Sequence, residues 1–166
     1  MGRAGLIVDT DQMRAALVGK VIVSHWFAAP SAATYRLVQD AERAAANRVG
    51  TIGTVTLVSR ALINLSAATD KAAYEPAATL MRGRSDYMRA SAVIFEAEGF
   101  AGAITRSAIS TIQLLSRSVV AEKVFSRRAD AVEWLAEQMA PLGVRFDGEQ
   151  LLDELRQLVG ESDQRS

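Results

Sequence analysis

The sequence predicts an α/β fold: a mixed sheet with an antiparallel start and then parallel strands, covered by helices and followed by an extra C-terminal helix. Three observations predict it. Between Leu17 and Met139, short apolar runs alternate with longer stretches; the runs are Val21-Ile22-Val23, Ile52 to Val58, Ala92-Val93-Ile94-Phe95 and Lys123-Val124-Phe125. The stretches between them carry apolar residues at helical spacing, and capping residues open and close them. Strands alternating with helices in this way are the order from which layered α/β domains are built.

Leu6-Ile7-Val8 reads as a short first strand, and Met13 to Val18 pairs with Val21 to Trp26 across Gly19-Lys20. Glycine supplies the positive φ that such a tight turn needs. Ser31, after Pro30, caps a helix carrying Tyr35, Val38, Ala41, Ala45 and Val49, and Gly50 ends it. The β-branched alternation of Thr51, Thr54 and Thr56 with Ile52, Val55, Leu57 and Val58 suits a pleated, partly buried strand. Ser59 to Asp70 is a connection whose Leu62, Ile63 and Leu65 make it too apolar to be only a solvated loop. Pro76 fits the first turn of a further helix with Glu75 at its cap, or kinks a helix that starts near Thr69; either ends between Gly83 and Met88.

Ala92 to Phe95 has the continuous apolarity of a strand covered on both faces, which predicts the centre of the sheet. A long helix follows, with Ala101, Ile104, Ala108, Ile112, Leu115 and Val119 on one stripe. Ser126 is the expected cap of a helix over Arg128 to Met139, with Ala131, Leu135 and Met139 near one face beside Trp134. Pro141-Leu142-Gly143 breaks the chain, and Glu149 to Val159 carries an apolar stripe of Leu151, Leu152, Leu155, Leu158 and Val159. The expected organisation is a domain over 1–140, an accessory amphipathic helix over 141–160 and a flexible tail over 161–166.

Composition narrows the function classes. The 166 residues hold 19 Lys and Arg against 19 Asp and Glu, so no long-range field draws the chain to nucleic acid or to an anionic membrane. The chain has no cysteine, which removes disulfides, thiolate catalysis and cysteine-bound metals and makes a cytoplasmic location the simplest expectation. Asp9 and Asp11 interrupt the apolar amino terminus before a signal-peptide core forms. Glu96, Glu98 and Arg106 interrupt the most apolar window, Ala90 to Leu115, so no membrane span is expected.

The order of elements over residues 13 to 139 resembles the STAS fold of anti-anti-sigma factors, and especially its SpoIIAA-like and STAS/SEC14-like relatives. Two segments carry the likeness: Glu98-Gly99-Phe100 with Ala103 and Arg106 after an apolar strand, and Val124-Phe125-Ser126 followed by Ala131-Val132-Glu133-Trp134-Leu135. Anti-anti-sigma factors carry an Asp-Ser-Ser/Thr-Gly segment after the middle strand, where phosphorylation breaks a partner interface. The corresponding stretch here, Val58-Ser59-Arg60-Ala61-Leu62-Ile63-Asn64-Leu65-Ser66, has neither the aspartate nor the glycine, so that switch does not carry over. Ser59, Ser66 and Thr69 stay modification candidates by position alone. The resemblance implies a bacterial-type regulatory or binding fold rather than a mechanism.

Few residues invite chemistry. His25, the single histidine, lies at a strand end beside Trp26, where a general base or a structural histidine would both fit. Glu96 and Glu98 follow the Ala92 run at the edge where open α/β sheets bind ligands, yet further metal ligands are lacking, and solvated turn carboxylates favouring the following helix N-terminus explain them better. Gly99-Phe100-Ala101-Gly102 has no Walker or dinucleotide spacing and reads as a tight turn. Arg82, Arg84 and Arg89, with Arg127 and Arg128, suggest a cationic patch or merely solvated charge. Leu151, Leu155 and Leu158 need burial, either on their own domain or on a second subunit.

The expected function is therefore non-enzymatic regulation or scaffolding through protein contacts, homo-oligomerisation included, with no cofactor and no metal. Its expected recognition edge joins Ser59, Leu62, Ile63, Leu65 and Ser66 to Gly99, Phe100 and Arg106. A small-molecule or lipid binder with an apolar pocket near Leu62, Ile63, Leu65 and Phe100 is the second reading. An enzyme centred on His25 and Glu96 is the third.

Overall fold

The computed structural model describes residues 5–59, 74–96 and 99–163. Strands β1 (Leu6–Asp9), β2 (Met13–Val18), β3 (Val21–Trp26), β4 (Ile52–Val58), β5 (Met88–Ile94) and β6 (Ala121–Phe125) form one six-stranded sheet in sequential order. The first two pairings are antiparallel and the remaining three parallel. The described helices are α1 (Ala32–Val49), α2 (Tyr74–Gly83), α3 (Gly99–Ser116), α4 (Arg128–Met139) and α5 (Gly148–Asp163), with a 3-10 turn at Ala140–Leu142 between the last two. The mixed α/β sheet expected from the sequence is the one observed.

Local chemistry explains the joints. Val18 opposes Val21, leaving the two-residue turn Gly19-Lys20 with Gly19 at φ 60°. Ser31 Oγ accepts the Thr34 amide at 3.1 Å to start α1, and Gly50 stops it at φ 87°, donating its amide to the Ala46 carbonyl at 2.8 Å. Over the described residues α2 begins at Tyr74, which puts Pro76 in its first turn and Glu75 inside that turn rather than at a cap.

The two sheet faces differ. On one, Val21, Val23, Val55, Leu57, Ala92 and Ile94 pack against α4 and α5, making a dry aliphatic core. On the other, Ile22, Ile52 and Met88 meet α1 through Val38 and Ala45, and α2 packs beside α1 and α3. This second face carries a polar seam. Ser24 Oγ donates to Thr56 Oγ1 at 2.9 Å, and Thr54 Oγ1 donates to Ser91 Oγ at 3.0 Å.

Two expectations need correction, and one open alternative is decided. The Ala92 run is not the centre of the sheet: β5 is one strand from the β6 edge, and β3 and β4 are central. Continuous apolarity reports cover on both faces, not position in the strand order. Ser126 does not cap α4; Arg127 occupies the cap position and makes no side-chain capping bond. Leu151, Leu155 and Leu158 are 1%, 1% and 2% exposed inside the core that β2–β5 and α4 share, so α5 closes the domain instead of docking elsewhere. The reason is geometric. Two helices are needed to cover this face of the sheet, and α4 packs on β4, β5 and β6, leaving β2 and β3 for α5.

Candidate functional site

The carboxyl ends of the parallel strands form the edge at which open α/β sheets bind ligands. Four side chains with chemistry meet there or beside it. His25, in β3, is 2% exposed, and its Nε2 lies 2.6 Å from Ser59 Oγ. Ser59 follows β4 directly, and its amide donates to the Trp26 carbonyl at 2.9 Å, extending the parallel ladder one step. The imidazole also packs on Phe27 with ring centroids 5.5 Å apart. Arg14 opposes His25 across the β2–β3 register and is equally buried, its Nε donating to Asp9 Oδ1 at 3.0 Å.

Glu96 lies past the end of β5 and accepts two bonds from Arg128, at 2.7 and 3.2 Å, at the start of α4. His25 is on β3 and Glu96 follows β5, with β4 between the two strands; the bonds seen are His25 with Ser59 and Glu96 with Arg128. The register makes the first pair intelligible. His25 opposes Leu57, and Ser59 is the next residue on that face, the diagonal neighbour of the histidine.

The other expected site residues divide clearly. Gly99 is exposed and adopts φ 76° at the start of α3, and Arg106 is half-buried on the same helix. Leu62, Ile63, Leu65, Ser66, Thr69 and Glu98 lie outside the described residues, as does the side chain of Phe100. The cationic patch is not one patch. Arg82 pairs with Glu75 at 2.7 Å, Arg84 with Glu42, Arg128 with Glu96, and Arg127 lies 3.9 Å from Asp130.

Sequence reasoning missed a buried charge cluster beneath α1. Glu42 is 3% exposed; Arg84 donates to it through Nε at 3.0 Å and through a second guanidinium nitrogen, and Tyr87 donates its hydroxyl at 2.9 Å. Glu122, from β6, stands 4.0 Å from the same guanidinium. Burial pushes the Glu122 carboxyl up to about 7, against the pull of Arg84 and with the help of Glu42. Gln113, from α3, lies close enough to favour the ionised form, though among the described residues its buried Nε2 has no well-formed bond. Burial also raises the Tyr87 hydroxyl, and Glu42 adds to that; Arg84 is raised too, because the two carboxylates outweigh the effect of burial. The signal was present in the helix stripe: Glu42 falls four residues after Val38 and three before Ala45, on the face that α1 turns inward.

A cavity of about 10 Å³, room for about one water, lies beside this cluster among Ser24, Trp26, Glu42, Thr54 and Arg84. Ile22 and Val38 add to a largely apolar lining, and the space is too small for a lipid chain. No group of three potential metal ligands occurs among the described residues, and none of the described helices is long and apolar enough to cross a membrane.

A different surface stands out by exposure. At the end of α3 and just beyond it, Leu114 is 80% exposed, Leu115 48% and Val119 84%. Arg82 donates to the Leu115 carbonyl at 3.4 Å, which puts the exposed Arg82–Glu75 pair at the rim of this apolar group. Compared with protein families, with characterised proteins and with solved structures, the chain matches none.

Proposed function

We propose that this chain is a regulatory or scaffolding domain that acts through protein contacts, with self-association at the end of α3 as the contact. The exposure of Leu114, Leu115 and Val119 within six positions carries the reading. Scattered exposed leucines are ordinary, whereas a grouped set is a surface that gains from cover. Each such aliphatic side chain stabilises a contact by about 1.5–3 kcal/mol when fully buried. A second copy suits the surface because both signs of charge, Glu75 and Arg82, lie at its rim, and a two-fold contact sets a patch against itself. The stripe on α5, the other candidate for such a contact, is occupied by the chain's own core.

Light scattering across a concentration series tests this. The native chain is expected to gain mass with concentration, and Leu114→Asp and Val119→Asp to stay monomeric with unchanged circular dichroism. A native chain that remains monomeric up to about 1 mM, where even weak association shows, overturns it. A second reading, chemistry at the carboxyl edge, is favoured by one observation, the 2.6 Å approach of His25 to Ser59.

A further inference from the structure

We infer that Ser59 and His25 form a nucleophile–base pair able to accept an acyl group from a small activated ester or thioester. The pair lies at the carboxyl edge of β3 and β4, and the inference goes beyond the self-association at the end of α3. Serine is a weak nucleophile until a base within hydrogen-bond reach takes its proton, and the 2.6 Å separation of Oγ and Nε2 meets that condition without rearrangement.

Both partners are held by the sheet. His25 belongs to a strand paired on both sides, with β2 and with β4, and its ring is buried against Phe27, so the imidazole is fixed while its Nε2 edge faces the hydroxyl. Ser59 takes its position from the amide bond to Trp26, and the residue as a whole is half-buried, unlike the histidine beside it. A base carried on a strand holds its geometry better than one carried on a loop.

The chemistry balances as follows. Oγ attacks the carbonyl carbon as Nε2 takes its proton, and a tetrahedral intermediate forms. The bond from carbon to the leaving oxygen or sulfur breaks, and the leaving group departs with the proton from Nε2, giving acyl-Ser59. Water, deprotonated by the same imidazole, releases the acid and restores the hydroxyl.

A fluorophosphonate probe with intact-mass detection reads the first step directly, since Oγ displaces fluoride and keeps the phosphonyl group. One adduct per chain is expected on the native protein, none on Ser59→Ala, and a rate at least about a hundredfold lower on His25→Gln. No adduct on the native chain, an adduct that persists in Ser59→Ala, or an unchanged rate in His25→Gln overturns the inference. His25 is buried and its replacement perturbs packing, so a second measurement leaves it in place. Ser59→Cys treated with iodoacetamide is expected to react with an inflection well below about pH 8.5, and an inflection at that ordinary thiol value overturns the pair. Neither measurement depends on Leu114 or Val119, so failure here and failure of self-association are separate results.

Discussion

Glu122 shows how one side chain sets a pH dependence for the whole fold. Its carboxyl sits at about 7 in the folded chain against an ordinary 4.5, so the fold binds this proton more tightly than the unfolded chain does. The stabilisation is fully present below pH 4.5 and is lost as pH rises through 7, a difference on the order of 3 kcal/mol. Glu122→Gln keeps the shape without the ionisation. Urea titrations between pH 5 and 8 are expected to show native stability falling relative to Glu122→Gln across the interval from about 4.5 to 7. Parallel pH profiles would show that Glu122 carries no such proton. Glu42 holds the cluster by direct bonds to Arg84 and Tyr87, so Glu42→Ala takes from a buried guanidinium its hydrogen-bonded carboxylate and is expected to cost about 3–5 kcal/mol in the same titration.

At the scale of elements, close approach and termination each offer a test. A Cβ on Gly53 would lie 3.0 Å from Leu135 and 3.1 Å from Met139, so β4 and α4 approach as closely as the missing side chain permits. Gly53→Val is expected to destabilise the fold by about 1–3 kcal/mol in denaturant unfolding. No change would mean that α4 packs more loosely than the contacts indicate. The end of α3 is the reverse case. Arg117 turns the chain at φ 49° where glycine is the usual residue, and Arg117→Gly is expected to raise stability by about 0.5–1 kcal/mol by relieving the left-handed conformation. A loss in the same unfolding measurement would show that the arginine side chain holds the turn.

At the scale of the molecule, the sequence was legible wherever local chemistry and hydrophobic period agreed. The Gly19-Lys20 hairpin and the Ser31 and Gly50 ends of α1 were readable because each depends on a few neighbouring residues. The charge cluster was not, because Glu42, Arg84 and Glu122 come from α1, the turn after α2 and β6, and only tertiary packing brings them together. His25 and Ser59 were singled out separately, and their meeting needed the parallel register of β3 and β4. The leucines of α5 were recognised as needing cover, but periodicity does not say whose surface provides it.

That last point decides the organisation of the molecule. Each face of the sheet carries one tryptophan, Trp26 beside α1 and Trp134 on the α4–α5 side. The most direct measurement follows urea unfolding by the fluorescence of Trp26→Phe and Trp134→Phe, each with and without Leu155→Ala. A single body closed by α5 gives coincident transitions from the two reporters in each background, and Leu155→Ala lowers the stability seen by both by about 2–5 kcal/mol. Two separate transitions, or a Leu155→Ala chain as stable as its parent, would contradict it.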